Sequence, residues 1–182
     1  MPFNVTEFAS AGLPFGGARP SLFSVTVDTP AGVPAIGARM SFTCRAAQIP
    51  LSVIPQRYFG REVKMAGTRT FEPWTVTVLN DEDFAIRAAM EQWSNAINAH
   101  QANLRDGALS TLASYRTTAT VSQYNKTGGV VRSYEFVNIF PTNVGAIDLD
   151  WDNADAIEIF PVEFQYDYWQ VVAPTTTGTL TV

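Results

Sequence analysis

The sequence predicts a mainly β protein, in which two antiparallel sheets pack as a sandwich or barrel and one α-helix flanks them. Several short segments alternate apolar with polar residues, which is the pattern of half-buried strands. Stretches rich in Gly, Pro and Asn separate these segments and are typical of turns. Only one segment repeats its apolar residues at helical spacing.

Two pairs of alternating segments predict hairpins. Residues 21–27 and 39–45 are joined by a Pro- and Gly-rich stretch, so they are expected to pair through a long tip. Residues 116–124 and 130–137 flank the turn 125–129, whose glycines can adopt the positive φ that a tight turn requires. Antiparallel sheet is therefore expected to dominate the fold.

Two longer segments, 66–83 and 141–169, contain three of the four Trp residues and the clearest remaining strands. The first segment predicts a strand over 71–78 that leads into a helix. In the second segment, residues 147–151 are expected to be extended, with their Asp side chains on the face opposite to the apolar ones. Residues 157–168 alternate again and predict a further strand.

One helix is predicted directly after the first of these strands. Asn80 or Asp81 is the expected N-cap, and the acidic residues 81–83 would lie at the positive end of the helix dipole. An apolar stripe with steps of four, three and four residues is expected to pack on a sheet, and it consists of Ile86, Met90, Trp93 and Ile97. The helix is expected to end by residue 106, and residues 107–114 predict either a loop or one helical turn.

The composition predicts one domain over residues 1–182. A chain of 182 residues with 46% hydrophobic content can bury a core, and folding at this size covers about 70% of the unfolded surface. No apolar run reaches the ~18 residues of a membrane span, and the N-terminus lacks a signal-peptide pattern, so folding in a cytoplasm is expected. The single cysteine, Cys44, lies in a strand-like segment and is expected to be a small buried hydrophobe.

The charge is uneven along the chain. All 12 Lys and Arg residues lie in 1–132, whereas residues 133–182 hold eight of the 17 acidic residues and no base. Because proteins bind nucleic acid largely through Lys and Arg, the acidic last third argues against a sequence-specific DNA-binding protein.

Residues 47–67 differ from the rest of the chain. They contain Pro50, Pro55 and Gly60, and they interleave Arg and Lys with aromatic residues. One interpretation is a long solvated loop. The other is an interaction segment, because long loops in compact domains are often functional and interfaces are enriched in Arg and aromatic residues.

Catalytic and metal sites find little support in the sequence. His100 is the only histidine, and it is expected to cap the helix or to face solvent. Residues 148–155 resemble the start of a calcium loop, but Asn153 and Ile159 occupy the positions of its Gly and its closing Glu. No Walker A, GxGxxG or GxSxG motif occurs. We therefore expect no enzyme, no cofactor and no metal site.

Three groups of residues occur in a distinctive order. GGARPSLF begins at Gly16, GTRTFEPWTVTVLNDE covers residues 67–82, and PTNVG at 141–145 is followed by LDWD and DYW. Together they resemble the tail tube proteins of contractile-tailed bacteriophages. The resemblance covers roughly residues 16–169 and depends on the order and spacing of all three groups.

The resemblance implies a structural protein whose activity is assembly. Its subunits would form hexameric rings that stack into a rigid tube inside a contractile sheath, and the phage DNA would pass through this tube into the host. The implied partners are further copies of the chain, the sheath, baseplate and terminator proteins, a tape-measure protein in the lumen and the passing double-stranded DNA. The implied location is the virion, after assembly in the host cytoplasm.

The resemblance also divides the chain into a core at about 16–169, an extended arm at 47–66 and a C-terminal extension at 170–182. Tail tube proteins use an arm at this place to contact the adjoining ring, which assigns ring stacking to Pro55, Arg57, Tyr58, Phe59, Arg61 and Lys64. A conduit for DNA is expected to repel phosphate, so the channel wall is predicted to be acidic. The candidates for this wall are Asp148, Asp150 and Glu163.

Two alternatives stay open at this point. A tube protein of a type VI secretion or injection device, like the haemolysin-coregulated protein, would share the fold and the ring but would carry protein. A carbohydrate-binding or hydrolytic β-sandwich would use the acidic cluster together with Trp151 and Trp169.

Overall fold

A computed structural model describes residues 18–36, 43–44, 51–58, 61–152 and 156–172 of the chain. Within these ranges it contains nine strands, one long helix and two short helical turns. The strands are β1 Phe23–Val27, β2 Thr43–Cys44, β3 Leu51–Tyr58, β4 Arg61–Arg69, β5 Trp74–Leu79, β6 Thr117–Tyr124, β7 Val130–Val144, β8 Ile159–Gln165 and β9 Tyr168–Val172. The helices are α1 Ala85–Ile97, a 3-10 turn Gly107–Leu109 and α2 Leu112–Tyr115.

Strand β7 belongs to two antiparallel sheets. Its first part, up to Ile139, lies between β6 and β9 in a first sheet of order β1-β6-β7-β9. Its last part, from Phe140, pairs with β8 in a second sheet of order β7-β8-β5-β2. Strand β7 pairs with β9 along its first part and with β8 along its last part, so it is one long bent strand that belongs to both sheets. The predicted architecture of two antiparallel sheets with a flanking helix is confirmed.

Polar side chains stabilise the bend of β7 at Asn138. Asn138 adopts a left-handed backbone with φ 60°, a conformation that Asn tolerates better than most residues. Its Nδ2 donates to Asp167 Oδ2 at 2.7 Å, and Arg116 Nη1 donates to the same oxygen at 3.1 Å. The backbone N–H of Asp167 donates to the Val137 carbonyl at 3.1 Å. Asp167 therefore joins the two sheets where β7 changes partner.

The inner faces of the two sheets and one face of α1 form the core. Trp74 stacks on Phe136 with ring centroids 4.4 Å apart, which links the second sheet to the first. Trp93 of α1 is fully buried, and its Nε1 donates to the Tyr115 carbonyl at 3.0 Å. The strand positions of the core are Val25, Val27, Trp74, Val76, Val78, Ala119, Val121, Phe136, Ile139, Phe160, Val162 and Phe164. The predicted apolar stripe of the helix is confirmed, since Ile86, Met90 and Trp93 are buried and Ile97 is partly buried against the core.

The predicted start of the helix is wrong, whereas its predicted end before residue 106 is confirmed. Asn80 directly follows β5 and does not cap the helix, because its N–H donates to the Glu158 carbonyl at 2.9 Å. The acidic residues 81–83 form a turn before the helix, and Asp83 Oδ1 accepts a hydrogen bond from the N–H of Ala85 at 3.0 Å. The helix begins at Ala85 after Phe84, whose φ is 51°, and it ends at Ile97. Residues 107–115 contain the helical turns that the sequence left open.

One of the two predicted hairpins is wrong and the other is confirmed. Strand β1 pairs with β6 in the first sheet, whereas β2 pairs with β5 in the second, so these two strands are not partners. Of the predicted strand at 39–45, only residues 43–44 are described. Strands β6 and β7 form the expected hairpin, and Gly128 in its turn has φ 83°.

The segment expected to be extended at 147–151 is not a strand. Ile147 packs against the core, but Leu149 is 86% exposed and Trp151 is fully exposed. The next strand begins at Ile159, opposite Leu79. It buries Val162 and Phe164, which agrees with the predicted alternation, whereas Ile157 and Ile159 are exposed and Phe160 is buried in their place. Apolar and polar residues alternate at 147–151 although this segment is not part of a sheet, so alternation alone does not show that the apolar side chains are buried.

Candidate assembly surfaces

Strands β3 and β4 form a two-stranded ribbon that is separate from the other two sheets, and we call residues 51–58 and 61–69 the arm. Within the described part of the chain, each of the two strands pairs only with the other. In β4, the consecutive residues Lys64, Met65 and Ala66 are all exposed, so neither face of the ribbon covers a core. A two-stranded ribbon is marginal in water by itself. The arm therefore depends for its stability on contacts beyond its own two strands.

Five of the six residues assigned to stacking lie on this ribbon. In its register, Pro55 is opposite Lys64, and Tyr58 is opposite Arg61. Arg57 is exposed, as are the side chains of Arg61 and Lys64. Phe59 lies outside the described residues. The segment is a β-hairpin, so the interpretation as a solvated loop is wrong, while its role in stacking stays a prediction.

Aromatic residues fix the root of the arm. Phe71 lies against Tyr166 with ring centroids 5.8 Å apart, and Tyr166 meets Phe136 edge-on at 5.0 Å. Burial raises the pKa of the Tyr166 phenol above its ordinary value of 10.0, and the nearby Glu72 carboxylate adds to the increase. The motif that contains Phe71 and Trp74 therefore anchors the arm near the bend of β7.

The opposite end of β5 is acidic. There, Arg87 Nη1 donates to the Gly145 carbonyl at 3.1 Å, and the N–H of Gly145 donates to the Pro161 carbonyl at 2.7 Å. Together with the hydrogen bond between Asn80 and Glu158, these bonds hold the turn and the start of α1 close to both ends of the loop that joins β7 to β8. We call residues 80–84, 147–152 and 156–158 the acidic end. It contains the acidic residues Asp81, Glu82, Asp83, Asp148, Asp150, Asp152 and Glu158.

The three residues predicted for the channel wall do not share one strand face. Asp148 and Asp150 are exposed in the loop of the acidic end, so their assignment to a strand is wrong. Glu163 is partly exposed on β8, opposite Thr75 of β5 and on the side away from the core. Their position in a channel stays a prediction.

The outer face of the first sheet is polar, which the sequence analysis did not identify. Ser24 and Tyr124 share a hydrogen bond of 2.9 Å between their hydroxyls, and Ser122 and Ser133 share one of 3.0 Å. Gln170 Nε2 donates to Glu135 Oε2, which ties β9 to β7. Ser and Thr alternate with buried Val and Ala in β1 and β6, and this pattern could have revealed the face.

The remaining chemical hypotheses gain nothing from the structure. Among the described residues, no group of three His, Cys, Asp or Glu side chains is placed to hold a metal ion. Trp169 packs edge-on against Tyr134 in the first sheet, while Trp151 lies in the loop after the second, so the two do not form one carbohydrate platform. No helix in the described ranges is long and apolar enough to cross a membrane.

Residues 18–172 match the family model described as phage tail tube protein. The chain is 36% identical over 157 residues to the tail tube protein gp19 of Enterobacteria phage T4, and the match covers 84% of this chain and 91% of that protein. Two solved structures are similar in fold. The tube-terminating cap of the anti-feeding prophage has a TM-score of 0.65 at 20% identity, over 86% of this chain and 91% of that one. The PVC sheath/tube terminator, from an extracellular contractile injection system in the extended state, has a TM-score of 0.64 at 18% identity, over 86% and 97%.

Sequence and fold thus agree. The family match covers most of the chain, including the arm, the bent strand β7 and the loop of the acidic end. The matched proteins are structural components of tails and not enzymes. The chain therefore belongs to the phage tail tube protein family, as its three groups of motif residues predicted.

Proposed function

We propose that copies of this chain form hexameric rings that stack into the inner tube of a contractile phage tail, through which the genome passes. Membership of the tail tube family is the observation that supports this most directly. The match to a phage protein favours DNA as the cargo over the protein cargo of a secretion device. The division into core, arm and C-terminal extension remains part of the same proposal.

The edges of the first sheet provide a way to form the ring. Within the described residues, β1 pairs only with β6, and β9 pairs only with β7, so each leaves one edge unpaired. Three antiparallel pairings separate β1 from β9, so these edge strands run in opposite directions and can pair between neighbouring copies. A head-to-tail contact that closes at six copies would remove both edges from solvent.

Stacking requires a second contact, and the arm is suited to it. A contact between unlike surfaces that does not close continues into a filament. The length of such a tube would have to be set by another component. Pro55, Arg57, Tyr58, Phe59, Arg61 and Lys64 are the residues that we assign to this contact.

The same proposal includes the other tail components. A sheath protein would surround the tube, baseplate and terminator proteins would bound it, and a tape-measure protein would occupy the lumen during assembly. One structural neighbour is a terminator of a sheath and tube, which is consistent with such partners. The assembled protein would be part of the virion, after assembly in the host cytoplasm.

We further propose a net acidic channel wall that includes Glu163, with Asp148 and Asp150 at its rim. Each Lys or Arg that contacts phosphate adds affinity through counterion release, and repetition along a tube would hold the DNA. At a Debye length of about 8 Å, acidic repulsion acts only close to the wall. Glu163→Lys phages should eject DNA more slowly than the wild type. A lumen dominated by Arg and Lys, or normal ejection through a basic lumen, would contradict this.

Electron microscopy of the purified protein tests the proposal as a whole. We expect rings, and tubes at high concentration or on a baseplate-like nucleus. A strictly monomeric species at high concentration, with no polymer on such a nucleus, would refute the proposed function.

A further inference from the structure

The arm and the acidic end lie at opposite ends of β5 and have opposite charge. The arm root precedes Trp74, the first residue of β5, and the acidic end follows Leu79, its last. The arm contains one acidic residue, Glu62, against four basic ones, Arg57, Arg61, Lys64 and Arg69. The acidic end contains seven acidic residues and neither Lys nor Arg. Each end thus has the charge that the other lacks.

Both ends also expose apolar surface. Leu149 and Trp151 project from the acidic end, and Ile157 is 68% exposed beside them in the chain. On the arm, Met65 is 54% exposed. Apolar residues rimmed by charges mark interaction sites on soluble proteins. An Arg over an indole face and a Met beside an aromatic ring are both favourable contacts.

We propose that the arm of one copy binds the acidic end of a copy in the adjoining ring. This inference rests on the proposed stacking of rings, and it names the surface that receives the arm. Because the two surfaces lie at opposite ends of one strand, subunits in successive rings would meet head to tail with unlike charges in contact. A reversed ring would bring like charges together, so the same contact fixes the polarity of the tube.

Charge reversal tests this pairing in the full-length chain. The arm variant is Arg61→Glu/Lys64→Glu, and the acidic-end variant is Glu82→Lys/Asp152→Lys; a third variant combines all four substitutions. Each double reversal should raise the protein concentration at which tubes form at least about tenfold, since it opposes like charges at the contact. The combined variant should return to within about threefold of the wild type, because opposite charges face each other again. Sedimentation and negative-stain microscopy measure both quantities.

Two further measurements separate the possible failures. Thermal melting should show that all variants fold like the wild type, and the control Gln92→Lys, at an exposed position in the middle of α1, should leave tube formation unchanged. If the wild type forms no tubes, the proposed function itself is refuted. If the wild type forms tubes and the acidic-end variant forms them equally well, this inference alone is overturned. Failure of the combined variant to recover, while it remains folded, would also overturn it.

Discussion

Strands β4 and β5 are neighbours in the chain, yet their side chains have different surroundings. In β5, residues Trp74, Val76 and Val78 are buried, and the intervening Thr residues face outward. In β4, successive residues are exposed on both faces. Strand β4 pairs with β3 over most of its length, and β5 pairs with β8 over its whole length, so the presence of a neighbouring strand does not by itself explain the difference. What distinguishes β5 is a core on one side, whereas β4 has none within its own subunit.

This difference predicts which property each region controls. Burial of apolar side chains supplies most of the stability of a folded domain. Changes in the body should therefore lower the free energy of unfolding, and changes in the arm should alter assembly at nearly constant stability. The following predictions use unassembled protein for stability and concentrated protein for tube formation.

The largest effect is expected from Trp93→Ala. Trp93 is fully buried, and its removal leaves a cavity and an unpaired Tyr115 carbonyl. The free energy of unfolding should fall by about 3–5 kcal/mol, measured by urea denaturation. Trp151→Ala is the matched control, because that side chain is fully exposed and its loss should cost less than about 0.5 kcal/mol. Similar losses in both variants would contradict the assignment of the core.

A smaller effect is expected from Gly145→Ala at the acidic end. An added Cβ would lie 2.5 Å from Pro161 Cγ and 2.8 Å from the Pro161 carbonyl oxygen, so β8 would have to move. We expect a loss of about 1–3 kcal/mol in the same assay, as for other overpacked sites. At Gly107 an added Cβ meets nothing within 4 Å, so Gly107→Ala should change stability by less than about 0.5 kcal/mol. Equal stability of the two variants would show that the loop is not held tightly against β8.

Local patterns predicted the parts of the fold that depend on neighbours in sequence. The spacing of Met90 and Trp93 specified the buried face of α1, and the glycines at 125–129 specified the β6–β7 hairpin. In the candidate site, composition set residues 47–67 apart from the body, and the resemblance to the tail tube family interpreted them as an arm. These features follow from helical periodicity, turn conformation and solvation, which act over a few residues.

Long-range choices of partner were not predictable in this way. The alternation of β1 is compatible with any partner, and its pairing with β6 depends on the complete sheet. The bend at Asn138 is stabilised by Asp167, which is distant in sequence and accepts hydrogen bonds from both Asn138 and Arg116. Likewise, the acidic end joins residues 80–84 to a loop more than sixty positions later, through one backbone and one side-chain hydrogen bond between Asn80 and Glu158. No local pattern in the sequence encodes that contact.

Deletion of residues 56–60 should affect assembly far more than stability. The deletion shortens the tip of a ribbon that buries no core, so the free energy of unfolding should change by less than about 0.5 kcal/mol. Rings should persist in negative-stain images, and tubes should be absent. A Gly/Ser replacement of the same length serves as control and shows whether arm length or its side chains matter. Normal polymerisation of the deletion variant would mean that the arm does not stack rings.

The smallest effect concerns Tyr166, at the junction between the arm root and the body. Burial and Glu72 raise the pKa of its phenol above 10.0, so the folded state favours the neutral form. As the pH rises above the unfolded value, the unfolded chain loses this proton first and binds fewer protons than the native state. The stability from Tyr166 is therefore complete below about pH 10 and is lost as the pH rises through the folded pKa.

The Phe substitution keeps the contacts with Phe71 and Phe136, so Tyr166→Phe should lose less stability than the wild type between about pH 9 and about pH 11. Glu72→Gln should give an intermediate slope, and Tyr168→Phe, at an exposed neighbouring position, should follow the wild type. If Tyr166→Phe and the wild type lost stability equally in urea titrations over this range, the junction would not be buried as described.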